Sequence, residues 1–305
     1  MKKTYAGFVA IIGRPNSGKS TLLNAVLGTE LSIVTRKAQT TRERVLGILS
    51  EKTAQIVFVD TPGIHQAKEG GINAYMVHEA AQALDGPSAI WYVVDPTSML
   101  FHEEAVISLL KKTSAPIFLL INKLDWKENA IFEQELAKRL EELKFNVSAV
   151  LKISAKKKKG LTELMDATWK LIPESPFYYP DEDQLSDRPT KFFVAEKIRE
   201  QLYLQLGEEL PYSCAVQIES YKEDSVPPRI EAIIHVERDS QKGMVVGKGG
   251  SKIKDIGTAA RATIEEFLGE KIFLGLKVAV LKEWTRDAEA LKRMGYNLPK
   301  TKKNK

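Results

Sequence analysis

Eight consecutive residues near the N-terminus have the types and spacing that bind phosphate. Gly13–Ser20 reads GRPNSGKS and fits the pattern G-x-x-x-x-G-K-[ST] between an apolar run and a helical pattern. Its glycines let backbone N–H groups surround phosphate oxygens, and the following helix adds its positive N-terminal dipole. Lys19 is expected to reach the outer phosphates, and the Ser20 hydroxyl can ligate Mg²⁺. The sequence therefore predicts a nucleoside triphosphate site that contains Gly13, Arg14, Pro15, Asn16, Ser17, Gly18, Lys19, Ser20 and Thr21.

A second segment, Asp60–Gly63 with the sequence DTPG, follows the next buried apolar run. An aspartate at the end of such a strand can hold Mg²⁺ through water, and the Gly63 N–H can meet a γ-phosphate. An ordinary turn after a strand would also fit these residues, but the phosphate loop upstream favours the functional interpretation. The predicted nucleotide contacts therefore include Asp60, Thr61, Pro62, Gly63 and Ile64.

The segment Asn122–Asp125, NKLD, predicts which base is bound. A carboxylate at Asp125 can accept hydrogen bonds from the N1–H and the exocyclic amine of guanine, whereas adenine would leave it unpaired. Asn122 is expected to tie the loop together, and the Lys123 stem can lie over the base. One strand later, a backbone N–H near Ala155 can meet the O6 atom of guanine. The base contacts are thus Asn122, Lys123, Asp125, Ser154, Ala155 and Lys156, and the predicted nucleotides are GTP and GDP.

Short apolar runs alternate with helical patterns from Phe8 to about Ile172, which is typical of a mostly parallel sheet covered by helices. The predicted strands are Phe8–Ile12, Ile56–Asp60, Ala89–Asp95, Pro116–Asn122 and Ala149–Ser154. The predicted helices are Ser20–Leu27, Asn73–Leu84, Glu103–Lys112, Ile131–Leu143 and Leu161–Leu171. Arg44–Glu51 precedes the second strand across a short turn and is expected to pair with it as an antiparallel edge. The predicted fold class is an α/β P-loop GTPase domain.

A change of pattern marks a second domain. Pro173–Pro189 holds four prolines and five acids against one arginine, and this composition predicts a linker because prolines prevent helix formation. The predicted domains are residues 1–172 and 190–305, with the linker at 173–189. After the linker, the patterns follow the order helix, two strands, helix, glycine-rich turn, helix, strand. This order predicts a small α+β domain.

The glycine-rich turn Gly247–Gly250, GKGG, fits G-x-x-G, and cations surround it. Glycines let the backbone approach a sugar–phosphate chain, and a KH module uses such a clamp for about four nucleotides of single strand. The alternative is an ordinary turn between helices with a solvated lysine face. The predicted RNA contacts are Gly247, Lys248, Gly249, Gly250, Lys252, Lys254 and Arg261.

Three longer strings, LSIVTRKAQTTRERVLGI, FFVAEKIREQLYLQLGEELPYS and MVVGKGGSKIKDIG, resemble the Era family of bacterial GTPases with a type II KH domain. The similarity extends to Tyr296, nearly the whole chain. It implies binding of small-subunit 16S ribosomal RNA near its 3′ end and a role in 30S subunit assembly. It also implies a cytoplasmic protein with peripheral contact to the inner face of the plasma membrane. A monomer is expected.

The resemblance gives Thr41 a role, because it is similar to the effector-loop threonine whose hydroxyl completes the Mg²⁺ shell in translation-class GTPases. Thr40 is the alternative for this position. The predicted metal ligands are then Ser20, Thr41 and Asp60, and the catalytic groups are Lys19, Thr41 and Gly63.

The chain differs from Ras-like enzymes at one position and departs from the usual pattern of the Era family at another. Ile64 stands where Ras-like enzymes use a glutamine to orient the attacking water, so slow intrinsic hydrolysis is expected and the water-positioning group is unidentified. His65 is a candidate base by its position next to Ile64, but a solvated loop histidine is the favoured interpretation. Lys156–Lys159 run unbroken before Gly160, and this loop is expected to be mobile or to touch RNA.

Composition limits the remaining alternatives. The 305 residues suffice for about two domains, and 43% hydrophobic residues exclude a disordered chain. A single cysteine, Cys214, excludes an intramolecular disulfide and favours a reducing compartment, and it is expected to be a small core residue. The apolar run Ala6–Ile12 is only seven residues long and is followed by the phosphate loop without a small-residue cleavage site, so we expect a buried strand there and not a signal peptide. NKLD disfavours a P-loop metabolic kinase. A signalling GTPase whose KH-like domain binds a protein or the membrane surface remains the alternative.

Overall fold

A computed structural model describes residues 3–35, 37, 39–64, 70–97, 100–124, 130–207 and 209–297. Within these residues, the chain forms two compact units. The first unit contains the described parts of 1–32, 41–67 and 76–187, and the second contains those of 33–40, 68–75 and 188–305. No helix of the described residues has the length and apolar character needed to cross a membrane.

The first unit is built on a six-stranded sheet in the order β2-β3-β1-β4-β5-β6. Its strands are β1 (Tyr5–Ile12), β2 (Val45–Glu51), β3 (Ala54–Asp60), β4 (Ala89–Val94), β5 (Ile117–Ile121) and β6 (Val147–Lys152). All neighbours pair in parallel except β2 and β3, which are antiparallel. This arrangement confirms the predicted fold class, including its single antiparallel edge.

Helices connect these strands. They are α1 (Lys19–Leu27), α2 (Gly71–Gln82), α3 (Glu104–Leu110), α4 (Ala130–Glu142) and α5 (Leu161–Trp169). The strands β4 and β5 are buried at every position, which requires cover on both faces of the sheet. Because these strands pair in parallel, their carboxyl ends lie along one edge of the sheet. The loops to the helices meet at this edge, and a ligand site can form there.

The predicted linker lies mostly on the first unit. The first unit extends to Asp187, and the acidic segment is fixed to its strands by backbone hydrogen bonds. Ala6 N donates to Pro173 O at 3.1 Å, and Ile48 N donates to Leu185 O at 2.9 Å. The Gln55 side chain adds further hydrogen bonds to the backbone of residues 178 and 179. Prolines prevent a helix here, so the segment satisfies its backbone groups along the edge of the sheet.

The second unit contains α6 (Thr190–Gln205), β7 (Ala215–Lys222), β8 (Arg229–Val236), α7 (Asp239–Val246), α8 (Ser251–Leu268), β9 (Phe273–Val280) and α9 (Ala288–Arg293). Its three-stranded sheet has the order β7-β8-β9, with β7 antiparallel and β9 parallel to β8. The element order is the predicted one. Cys214 is fully buried in the core of this unit, as expected for a small core residue.

Two segments from the first part of the chain also belong to this second unit: the described parts of residues 33–40 and 68–75. Lys37 Nζ donates to Leu206 O at the end of α6 at 2.6 Å, and the Tyr203 hydroxyl donates to Gln39 O at 3.3 Å. The Tyr75 ring packs edge-on against Tyr296, with centroids 5.3 Å apart. The sequence did not predict this partition, because these contacts join residues far apart along the chain.

Candidate nucleotide and nucleic-acid sites

The phosphate loop leads from β1 into α1, which begins at Lys19. Gly18 has a φ of 101°, a conformation that favours glycine, and a Cβ there would overlap the amide of Asn122. A Cβ at Gly13 would overlap the backbone oxygen of Val93. The loop therefore needs glycine at both positions, since neighbouring strands leave no space for a side chain.

Lys19 is 5% exposed, and its Nζ donates to Arg14 O at 2.7 Å across the loop. Burial lowers the pKa of Lys19 to about 8, against the attraction of Asp60 and Glu103. A buried ammonium is stabilised strongly by an anion placed beside it, because charges attract more strongly where water is excluded. The loop is thus prepared to receive phosphate oxygens.

Three oxygen-bearing side chains converge next to Lys19. The Ser20 hydroxyl donates to Asp60 Oδ2 at 2.7 Å and lies 3.0 Å from the Thr41 hydroxyl. Within the part of the chain that the structure describes, the other Asp60 oxygen is buried without a hydrogen-bond partner, and burial raises the pKa of this carboxyl. Mg²⁺ prefers hard oxygen ligands, so these residues fit that ion.

The geometry distinguishes Thr41 from Thr40. The Thr40 hydroxyl donates to Lys37 O at 2.9 Å and contacts the Thr35 hydroxyl at 2.8 Å, so it is engaged within its own loop. Thr41 instead faces Ser20. This placement favours Thr41 as the metal-sensing hydroxyl.

The DTPG segment closes over the phosphate loop. The Thr61 hydroxyl donates to Ile11 O at 2.8 Å, and Ile64 N donates to Gly13 O at 3.1 Å. A Cβ at Gly63 would lie 2.5 Å from the backbone of Pro15, so only glycine allows this approach. Ile64 is buried in the hydrophobic core, which leaves no side chain there to orient a water molecule. His65, the candidate base, lies outside the described residues.

Asn122 joins three segments at the base end of the site. Its Nδ2 donates to Ser17 O at 2.9 Å, and its Oδ1 accepts from Ala155 N at 3.0 Å. The side chain therefore ties the phosphate loop, the end of β5 and the segment after β6 together, as predicted from its position. The Ala155 N–H, predicted to meet guanine, donates to this carboxamide in the structure. Asp125 lies outside the described residues.

Asp95 is a site residue that the sequence reasoning missed. Its Oδ2 accepts from Lys123 Nζ at 2.6 Å, and both Thr97 N and the Thr97 hydroxyl donate to its other oxygen. Burial opposes ionisation of Asp95, but these hydrogen bonds outweigh it and hold its pKa below the usual value. The ion pair fixes the Lys123 side chain beside the base loop. Its position at the carboxyl end of β4, like that of Asp60 at the carboxyl end of β3, was the available signal.

Glu103 is a second such residue. It is 1% exposed and accepts a hydrogen bond from the Tyr92 hydroxyl at 2.8 Å. Burial raises the pKa of this carboxyl, while the Tyr92 hydrogen bond and the charges of Arg14 and Lys19 lower it. Glu103 thus lies within electrostatic range of Arg14 and Lys19 of the phosphate loop. No local sequence pattern predicts that Glu103 is buried, since its burial depends on tertiary packing against β4.

Replacing Asn122 by alanine tests its role as a tie. Asn122→Ala leaves the backbone groups of Ser17 and Ala155 without their partner, so nucleotide affinity is expected to fall by about 10- to 100-fold. Titration with a fluorescent GDP analogue measures this loss. Asn24 is a matched control in the same unit, because its carboxamide makes the same pair of backbone hydrogen bonds, to Ser32. An equal loss of affinity in Asn24→Ala would contradict the specific role.

The predicted RNA residues lie at the turn between α7 and α8. Gly247, Gly249 and Gly250 have φ values of 73°, 60° and 78°, so three left-handed residues shape this turn. Lys248 is exposed at its tip. The glycine clamp is therefore formed as predicted, with its backbone open to a ligand.

Residues of this unit line two cavities, and one of the two includes the clamp residue Gly247. One, of about 300 Å³, has an apolar floor and two of the predicted cations at its wall, and it is lined by Ile253, Lys254, Gly257, Thr258, Arg261, Leu274 and Leu276. The other, of about 550 Å³, contains Gly247 and Lys252 together with Leu206 and Met244. The predicted cations thus divide between two sides: Lys254 and Arg261 lie at the groove between α8 and β9, and Lys252 lies at the other cavity.

Comparison with known proteins identifies a family for each of two segments of the chain. Residues 8–123 match the family described as 50S ribosome-binding GTPase, and residues 209–285 match the KH domain family. The chain is 43% identical over 300 residues to GTPase Era of Coxiella burnetii strain Dugway 5J108-111, covering 97% of this chain and 99% of that protein. The chain belongs to the Era family of GTPases.

Other relatives extend this result across organisms and to solved structures. GTPase Era of Geobacter metallireducens is 43% identical over 294 residues, with 95% of this chain and 97% of that protein covered. Era crystallised with MgGDPNP and nucleotides 1506–1542 of 16S ribosomal RNA is 36% identical, with a TM-score of 0.89 and coverage of 97% of this chain and all of that chain. Aquifex aeolicus Era bound to GDP and aluminium fluoride gives the same values.

Proposed function

We propose that this Era-family chain is a GTP-hydrolysing switch that binds 16S ribosomal RNA near its 3′ end and acts in 30S subunit assembly. One observation carries the proposal: in the first unit, Ser20, Thr41 and Asp60 converge beside a phosphate-type loop that Asn122 ties to the segment after β6, and in the second unit a glycine-rich turn occurs with a basic groove. The solved Era that holds both MgGDPNP and a 16S fragment is similar over 97% of this chain.

In the first unit, the residues bind and orient the triphosphate. Lys19 and the loop N–H groups hold the phosphates, and the Gly63 N–H meets the γ-phosphate that is transferred to water. Ser20, Thr41 and Asp60 would hold Mg²⁺, and the ion would supply charge neutralisation on the phosphate oxygens. Hydrolysis breaks the bond between the β–γ bridging oxygen and the γ-phosphorus. Since Ile64 lies in the core, no side chain at that position orients the water, and a slow intrinsic rate follows.

In the second unit, the groove between α8 and β9 receives single-stranded RNA. Its apolar floor suits unstacked bases, while Lys254 and Arg261 suit phosphates. The clamp Gly247–Gly250 lets the sugar–phosphate backbone approach closely. Crosslinking of a 4-thiouridine-labelled 16S fragment is expected to map to this segment. Crosslinks to a protein or lipid there instead would favour a signalling GTPase.

Copurification tests the assembly role. We expect the chain to copurify with small ribosomal subunits and to do so more strongly with a non-hydrolysable GTP analogue than with GDP. Association with large subunits alone would contradict the proposal. We further propose a monomeric cytoplasmic protein with peripheral contact to the inner membrane face, on the strength of the family resemblance. Light scattering and flotation with anionic vesicles test these two points.

Thr41 is proposed to couple the two sites. It contacts Ser20 in the first unit, and the segment directly before it packs with α6 in the second unit through Lys37 and Gln39. A nucleotide that fixes Thr41 therefore acts on a segment held by the RNA-binding unit. Linkage then requires that RNA and GTP strengthen each other's binding by the same factor.

The coupling gives a measurable difference. RNA is expected to bind about 5- to 150-fold more tightly with the GTP analogue than with GDP at one fixed salt concentration. Thr41→Ala should shrink this ratio towards one, because the hydroxyl that senses Mg²⁺ is lost, whereas Thr40→Ala should retain most of it. Fluorescence anisotropy with the 16S fragment measures both. Equal RNA affinity in the two nucleotide states of the unaltered protein would show two independent binding modules.

A further inference from the structure

The four lysines Lys156–Lys159 form a closed turn after β6. Ser154 N donates to Lys159 O and Lys159 N donates to Ser154 O, both at 3.1 Å. Lys157 N donates to the Ser154 hydroxyl at 3.2 Å, and Lys158 N donates to Ala155 O at 3.3 Å. Four hydrogen bonds therefore define the backbone that presents these cations.

All four side chains are exposed, and none makes an ion pair with an acidic residue in the described parts of the chain. Neighbouring lysines differ in this respect. Lys152 pairs with Glu133 Oε2 at 2.9 Å, and Lys123 pairs with Asp95. The turn thus concentrates four uncompensated positive charges, which raises the local potential for anions.

The turn geometry does not call for lysine. Lys158 has a φ of 54°, in the left-handed region where glycine or asparagine is favoured. Four like charges in one turn also repel each other. The turn therefore departs from local preference in its backbone conformation and in its charge. Such a segment is a candidate binding site, because a bound polyanion would remove the repulsion between the lysines.

RNA is the polyanion that the observations favour. Among the residues around the lysines, Ser154, Ala155 and Leu161 are buried, so the turn itself offers no apolar side chain for insertion into a membrane. The same chain also carries the clamp Gly247–Gly250. An RNA held there would be present at high effective concentration for a second contact, so even individually weak lysine–phosphate contacts would count.

We propose that the turn Lys156–Lys159 binds backbone phosphates of ribosomal RNA outside the stretch held by the KH domain. This inference rests on the proposed function. It assigns a second RNA contact to the GTPase unit, adjacent to the segment that Asn122 ties to the base site. Its recognition is electrostatic and independent of base sequence.

A charge-matched pair of variants tests the turn. One variant replaces all four turn lysines by glutamine. The control replaces four other exposed lysines of the same unit by glutamine: Lys111, Lys112, Lys144 and Lys170. Both variants lose the same charge, and Lys144 with a φ of 57° matches Lys158 at 54°. Circular dichroism and urea unfolding confirm that both fold.

The measurement is the salt dependence of RNA affinity. The probes are the 16S fragment of nucleotides 1506–1542 and the tightest-binding of a set of short single strands cut from it. For the full fragment, log affinity falls as log salt rises, and the turn variant should make this negative slope shallower. The magnitude of the slope should fall by about 0.7 for each lysine engaged, up to about 3 in total. The control should leave this slope unchanged. The short strand should bind all three proteins equally.

The outcomes separate the two proposals. An unchanged slope in the turn variant, or an equal change in the control, would overturn the proposed contact. Loss of binding to vesicles of anionic phospholipid, with RNA binding intact, would also overturn it and assign the turn to a membrane. If the unaltered protein bound no short strand but kept a slope that depends on the turn, the KH assignment would fail while the turn contact stood.

Discussion

Asp125→Asn is expected to change the base preference of the nucleotide site from guanine to xanthine. The carboxylate of Asp125 accepts two hydrogen bonds from guanine in the proposed arrangement, and an amide at this position faces the guanine amine with a donor. A site built for hydrogen bonds rejects a mismatched partner by about 10⁴-fold, so GDP affinity should fall by roughly that factor. Xanthine carries a carbonyl where guanine has its amine, so XDP should bind the variant more tightly than GDP.

Competition of GDP and XDP against a fluorescent nucleotide measures this switch. Asp95→Asn is the matched control, since it makes the same isosteric change at the carboxylate that accepts a hydrogen bond from Lys123, two residues before Asp125 in sequence. It should weaken binding of both nucleotides without changing the preference for guanine. Full preference for GDP in Asp125→Asn would contradict the assignment of Asp125 to the base.

Gly247→Asp combined with Gly250→Asp is expected to abolish RNA binding and to leave intrinsic GTP hydrolysis intact. The two substitutions place anions against the phosphate chain, and a Cβ at Gly247 would also lie 2.6 Å from the Lys252 side chain. Like-charge juxtaposition at an interface costs several kcal/mol, which corresponds to a loss of about 100-fold or more. Hydrolysis should survive because the phosphate, metal and base residues belong to the first unit.

Gly250→Asp alone guards against misfolding, because no atom lies within 4 Å of a Cβ at that position. Gly269→Asp is its control at the other end of α8, with a φ of 74° against 78° and equally open surroundings. RNA affinity should fall in the first and stay near normal in the second, as measured by anisotropy. Loss of hydrolysis together with RNA binding would contradict two separate sites.

The proposal of a switch depends on which segments of the chain belong to which unit. Residues 33–40 lie between α1 and the Thr41 hydroxyl in sequence, yet they pack with α6 and its following loop. By contrast, the acidic segment up to Asp187 is bound to the first sheet. The effector segment, rather than the predicted linker, is therefore the element through which the nucleotide is proposed to act on the RNA-binding unit.

The sequence by itself determined the phosphate loop, the alternation of strands and helices and the glycine clamp. Each of these is a contiguous pattern, so the chemistry and the geometry follow from neighbours along the chain. Gly13–Lys19 is predicted to bind phosphate because a strand precedes it and a helix follows it. The turn Gly247–Gly250 has positive φ angles at its three glycines, and glycine adopts such angles without the strain that other residues incur.

Only the tertiary structure decided which hydroxyl approaches the metal ligands, which acid holds Lys123, and where the acidic segment lies. Thr40 and Thr41 are adjacent and chemically identical, and the choice between them depends on Ser20, which lies twenty-one residues from Thr41 in sequence. Asp95 meets Lys123 because parallel strands bring their carboxyl ends to one edge of the sheet. Contacts between distant residues form only when the whole sheet assembles, so no local pattern encodes them.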